Sequence, residues 1–142
     1  GSTGMETAEV IKKAAEIVKP DVVIVIDSLA ARDIDRVSTT IQLTDTGIQP
    51  GSGMGNHRAG INEENIGVPV LAIGVPTVID IKTILRDALE ENLDSAEAVE
   101  KYLSDYDRQM IVTSTDIDIL VKDFSDIIAD GINKTLHPGI YS

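Results

Sequence analysis

An α/β fold, a mostly parallel sheet with helices on both faces, is what this sequence predicts, and three observations carry the expectation. A continuous β-branched run, Val22–Ile26, and a second apolar run, Val68–Ile73, lack the alternation of a half-exposed strand and read as buried strands of a parallel sheet. Around them lie stretches whose apolar residues recur at the 3.6-residue spacing of amphipathic helices. Aromatic residues are scarce, with three Tyr, one Phe and no Trp, so the core must be built from Ile, Val, Leu and Ala. At 142 residues the chain is long enough for one domain, residues 1–142, to bury such a core without staples.

The elements follow in order. Met5 to Lys19 reads as a helix with Ala8, Ile11, Ala14, Ala15 and Val18 on one face, stopped by Pro20. Asp21 leads into the Val22–Ile26 strand, which Asp27 closes. Ser28 to Arg36 reads as a short helix or turn, and Thr39 to Leu43 as a second, more exposed strand. A glycine-dense loop and a polar segment, Asn56 to Asn65, precede the Val68–Ile73 strand, where Pro69 sits at a tolerated first position and Gly74 marks the end. Pro76 can open a helix running to about Asn92, with Val78, Ile81, Ile84, Leu85, Ala88 and Leu89 inward. Ser95 to Tyr106 is a further helix. The longest runs from Asp116 to Leu136, announced by Ser114 and Thr115 as capping residues.

Composition excludes several functions. With 24 acidic against 12 basic residues the net charge is −12, the wrong sign for a nucleic-acid backbone binder. No apolar run reaches the roughly 18 residues of a membrane span and no signal-peptide pattern opens the chain, so no membrane partner is expected. There is no Cys, hence no disulfide framework, thiolate zinc site or cysteine nucleophile. His57 and His137 are the only histidines, and neither stands in a metal-binding spacing. No metal and no cofactor are expected.

Two places hold candidate chemistry. The first is Ile41 to Asn56, which packs Gly47, Gly51, Gly53, Gly55 and Pro50 into one loop after a strand. It reads either as an irregular connection with tight turns or as a site-lining loop of special backbone path. Its candidate lining residues are Asp45, Gly47, Gly51, Ser52, Gly53, Gly55 and Asn56. No Lys-Ser or Lys-Thr follows these glycines and their spacing is not G-x-G-x-x-G, so nucleotide binding is unsupported. Asp45-Thr46-Gly47 repeats the triplet of pepsin-like proteases, but their β-rich fold does not suit this chain. Asp45 is expected instead to accept backbone N–H groups of the turn it opens. Ser52 and His57 give no G-x-S-x-G. The second place is Asp27. It is either the cap of a following helix or a carboxylate at a strand's carboxyl end, where α/β proteins gather their catalytic groups.

Longer runs add a resemblance. Lys19 to Arg32, KPDVVIVIDSLAAR, closely resembles the spore germination protease family. So do Ile41–Ile48, Pro50–Asn56, Val68–Val70 and Ala72–Asp80, with Thr3–Thr7 and Met110–Thr113 as flanks. The resemblance implies a three-layer α/β/α fold similar to the hydrogenase maturation proteases. It implies an endopeptidase that hydrolyses small acid-soluble spore proteins in the cytoplasm of the forespore and spore core during germination. It also implies storage as a zymogen, assembly as a tetramer, and an atypical aspartic mechanism using two aspartates. One of these falls in the family's I-D-x-L-A-A-R motif and so at Asp27. The other belongs to the family's N-terminal half, which these residues do not include, and the stretch from about Leu85 to Met110 is shorter than the family's. The chain is therefore expected to be the C-terminal core part of a longer enzyme. The alternative is a non-catalytic binding or assembly module of the same fold.

Overall fold

The structure, a computed structural model, describes residues 7–50, 59–90, 96–105 and 110–141. Its centre is a long strand that the sequence divides in two. Strand β1 is Val23–Ala31, β2 is Gln42–Thr44, β3 is Val70–Asp80 and β4 is Ile111–Val112. The helices are α1 (Thr7–Val18), α2 (Glu63–Ile66), α3 (Ile81–Glu90), α4 (Ala96–Asp105) and α5 (Ile117–Leu136), with a 3₁₀ turn at Ile34–Arg36.

The two apolar runs are parallel neighbours, in register from Val23↔Val70 to Ala31↔Ile79. β2 and β4 pair antiparallel with β3, through Gln42↔Gly74 and Ile79↔Val112. The sheet is therefore mixed, in the order β1-β3-β2 with β4 also on β3. Strand alternation divides its faces. Val23, Val25 and Val70 point to α1, where Ala8, Ala15, Ile61 and Ile66 complete a buried cluster. Ile24, Leu71 and Ile73 point to α5. The α/β class and the helices on both faces agree with the sequence reading.

Four expectations are corrected. Among the described residues β1 is an edge strand, not a central one, and Val22 and Ile26 are 46% and 56% exposed. β1 also does not stop at Asp27: it continues to Ala31, because Ser28, Leu29 and the two alanines keep pairing with β3. β3 likewise runs through Gly74 and Pro76 to Asp80. Gly74 stays in the strand because Leu29 fills the space a side chain would need; an added Cβ would sit 2.3 Å from Leu29 Cδ1. Pro76 is tolerated where the ladder is already broken. The β1–β3 register slips between Leu29 and Ala30, and on the other side Pro76 lies between the stretches paired to β2 and β4. There the Ser38 N–H donates to the Pro76 carbonyl at 2.6 Å. The following helix consequently starts at Ile81, where the Asp80 carboxylate accepts the Lys82 N–H at 2.7 Å.

Smaller differences have local causes. In α1, Ala8 and Ala15 are buried and Ile11 packs against their cluster, but Val18, expected on the same face, is 73% exposed. Lys19 ends it in the left-handed conformation, φ 50°, before Pro20. The polar segment before β3 contains α2, capped by Asn62, whose side chain accepts the Asn65 N–H at 2.9 Å. α5 begins one residue after Asp116, whose N–H is taken by Ser114 Oγ.

Candidate functional site

The register places Asp27 in a row across the sheet, Asp27–Gly74–Gln42. Asp27 is half-buried and belongs to the same face as Val23 and Val25, the α1 face. Its neighbour on that face is Gly74, and the space a side chain there would need is filled by Leu29 of the same strand as Asp27. Asp27 is not a helix cap: the chain on both sides of it is extended strand. Its Oδ1 instead accepts the N–H of the next residue, Ser28, at 2.9 Å.

On the opposite face a hydroxyl cluster sits one residue on. Ser28 Oγ and Thr77 Oγ1 share a hydrogen bond of 2.6 Å, and Thr113 Oγ1 donates to the Thr77 carbonyl at 2.6 Å. Sequence reading missed this cluster because it assigned Thr77 to a helix. The signal available was the pair of apolar runs, whose parallel pairing sets the ends of both strands side by side.

The glycine loop is anchored rather than loose at its base. Ile48 and Ile61 exchange backbone hydrogen bonds of 2.9 and 2.8 Å, and both side chains join the α1-face cluster. The loop therefore leaves from the face to which Asp27 belongs. Gly47 is required there: its φ is +87°, and a Cβ would lie 2.3 Å from the Ile61 carbonyl oxygen. Of the other candidate lining residues, Gly51, Ser52, Gly53, Gly55 and Asn56, together with His57, lie outside the described residues. Asp45 is exposed at the bend after β2. It is not the side chain that holds that bend: Thr44 Oγ1 accepts the Thr46 N–H at 3.1 Å and bonds Thr46 Oγ1 at 2.7 Å.

Strand spacings decide which in-chain carboxylate could join Asp27. Asp80 is six residues beyond Gly74 on β3, about 20 Å at roughly 3.3 Å per residue. Asp45 is two strands over and three residues past Gln42, about 10 Å across and about 10 Å along. Carboxylates that share a proton stand about 3 Å apart. Neither Asp45 nor Asp80 forms a dyad with Asp27. Among the described residues no group of three or more His, Asp or Glu side chains is placed to hold a metal ion. His137 follows α5 with its ring against Tyr141, centroids 6.4 Å apart.

Comparison with known proteins points in one direction. The sequence model of a family described as germination protease matches residues 1–96. A germination protease of Caldanaerobacter subterraneus subsp. tengcongensis is 45% identical over 163 aligned residues, covering 99% of this chain and 50% of the relative. A Clostridium perfringens germination protease is 43% identical with the same coverage. One from Halalkalibacterium halodurans is 32% identical, covering 99% of this chain and 52% of the relative. The chain thus spans about half the length of the curated relatives it matches. The aligned span of 163 residues also exceeds this chain's 142, so the relatives carry residues within it that this chain lacks.

Proposed function

The chain belongs to the germination protease family, and from that premise we propose that it is the core of an endopeptidase in which Asp27 is one of two catalytic carboxylates. The observation that carries this reading is Asp27 itself: an acidic side chain within Ile26–Arg32, IDSLAAR, inside the matched span and next to Gly74. The chemistry is general acid–base catalysis. One ionised carboxylate takes a proton from water while a protonated partner polarises the scissile carbonyl. Two carboxyls held close together split their proton affinities, which lets one site hold both states.

In this reading the second carboxylate is the one the resemblance places in the family's N-terminal half, outside these 142 residues; the distances of Asp45 and Asp80 are consistent with it. The glycine loop, leaving from Asp27's face, lines the substrate channel or offers N–H donors to a developing oxyanion. Small acid-soluble spore proteins as substrates, action in the spore core at germination, a zymogen precursor, a tetramer and a fold of the hydrogenase-maturation type belong to the same reading. Its test is Asp27→Asn in a full-length relative. We expect an unchanged melting curve and kcat/KM lower by about 10²-fold or more; retained turnover refutes it.

A non-catalytic assembly module is the second reading. It is favoured by the Asp27–Ser28 hydrogen bond, which gives the carboxylate a local structural role without any substrate.

A further inference from the structure

Asp27 has an apolar neighbour that the proposed chemistry does not use. The β1–β3 register is regular up to Leu29, so Val25, Asp27 and Leu29 share the α1 face of β1. Val25 packs against the buried α1 cluster; Leu29 is not a member of that cluster and is half-buried. The register partner of Leu29, Pro76, is fully buried, and the leucine leans away from it, diagonally back over Gly74. Its Cγ and both Cδ carbons lie within 3.3 Å of where a Gly74 Cβ would stand. Gly74 is in turn the register partner of Asp27. The aliphatic end of Leu29 therefore occupies the slot beside the carboxylate, one strand spacing of about 4.8 Å across the sheet. Any side chain at residue 74 would evict it.

We infer that Leu29 is a specificity-determining residue: its side chain is the wall of a subsite for a bulky apolar residue of the polypeptide substrate, within two residues of the scissile bond. The inference deepens the proposed function and rests on its claim that Asp27 acts on a peptide bond. An extended peptide advances about 3.3 Å per residue. A substrate whose scissile carbonyl reaches the Asp27 carboxylate thus has the side chains one and two residues away within reach of the Gly74 slot. What they meet there is aliphatic carbon. The residues nearest in register on that face, Val25, Gly74 and Pro76, bring no charge and no side-chain hydrogen-bonding group. A charged substrate side chain would lose hydration against them without gaining a partner, whereas an aliphatic or aromatic one gains by leaving water. The size of the subsite follows from how far Leu29 folds back, which the missing Cβ of Gly74 allows.

The test uses a full-length relative with Leu and Gly at these two positions and, as probe, a tryptic peptide library of bacterial proteins. Cleavage sites are read by mass spectrometry, and kcat/KM is then measured on peptide pairs that differ only at the apolar position. The unsubstituted enzyme should select a bulky apolar residue at one position within two of the cut. Leu29→Ala enlarges the slot and should raise kcat/KM for an aromatic residue there, relative to valine, by about tenfold or more, the scale on which a few carbons of a pocket discriminate. Gly74→Ala pushes the flexible end of Leu29 toward the substrate and should move the same ratio the other way. Leu29→Met, of similar volume, should keep the native preference. A purely structural role would lower every rate together, so the opposed shifts are the signature. Gly74→Ala retains the leucine, so the ratio stays readable even where Leu29→Ala fails to fold. Two results overturn the inference: no apolar preference within two residues of the cut, or variants at Leu29 and Gly74 that change kcat/KM by one factor for every peptide. Asp27→Asn is read separately. Turnover kept in that variant, with a preference that still follows Leu29, supports the subsite and counts against the role of Asp27; turnover lost, with a preference indifferent to Leu29, does the reverse.

Discussion

On the α1 face Ala8, Ala15, Ile61, Ile66 and Val70 close into a cluster in which none is more than 7% exposed. On the α5 face the same strands meet a 20-residue helix that has no buried residue, across an apolar space of about 430 Å³. The two faces are built from the same aliphatic residues, so composition does not distinguish them. What differs is closure. On the α1 side Ala8, Ala15 and Ile66 pack with Val70, and Ile48 and Ile61 join the same cluster. α5 presents Ile127, Ile128, Ile132 and Leu136 to a gap that no described element fills. A sheet face can carry a complete apolar surface and still lack its cover.

The sharpest test of that contrast is a pair of truncations measured by urea unfolding. Ile66→Ala, 3% exposed, should cost about 3 kcal/mol, the ordinary cost of a core cavity. Ile128→Ala, facing the open side, should cost under about 1 kcal/mol because little apolar area leaves contact. Equal costs would mean that the two faces are equally closed. Next in size is Gly47→Ala. The residue adopts φ +87° with the Ile61 carbonyl in the way, so a methyl should cost about 2 kcal/mol and release the loop base. A neutral result would show that the Ile48–Ile61 clamp does not depend on that close approach. The smallest effect is expected from Lys122→Ala on α5. The Asp126 carboxylate, hydrogen-bonded at 3.0 Å, raises the pKa of Lys122, but both side chains lie largely in solvent. The melting temperature should not change resolvably in physiological salt.

The legible part of the fold was the pair of long strands. The apolar runs at Val22–Ile26 and Val68–Ile73 named two strands, because a run without alternation reports that both faces of a strand must be buried; their direct pairing is a finding of the structure. Their ends were illegible. Asp27, Gly74 and Pro76 read as local punctuation, yet pairing overrides each: Leu29 packs where a Gly74 side chain would go, and a register slip accommodates Pro76. Tertiary pairing outweighs local preference in strands more readily than in helices. The edge position of β1 was illegible for another reason. Sequence says what a strand needs to bury, not whether a neighbour is present to cover it. At the site, Asp27 stood out as an acid inside an apolar run. Its bond to Ser28 and its distance from Asp45 and Asp80 depend on register, which single residues do not encode.

The account's central claim is that Asp27 is half of a catalytic pair whose other member lies outside these residues. A hydrolysis assay of the purified chain on a small acid-soluble spore protein tests it most directly, run beside its Asp27→Asn variant. The expected result is no specific cleavage by either protein. Cleavage by the chain alone that Asp27→Asn abolishes would contradict the account, because the second carboxylate would then have to lie within the 142 residues.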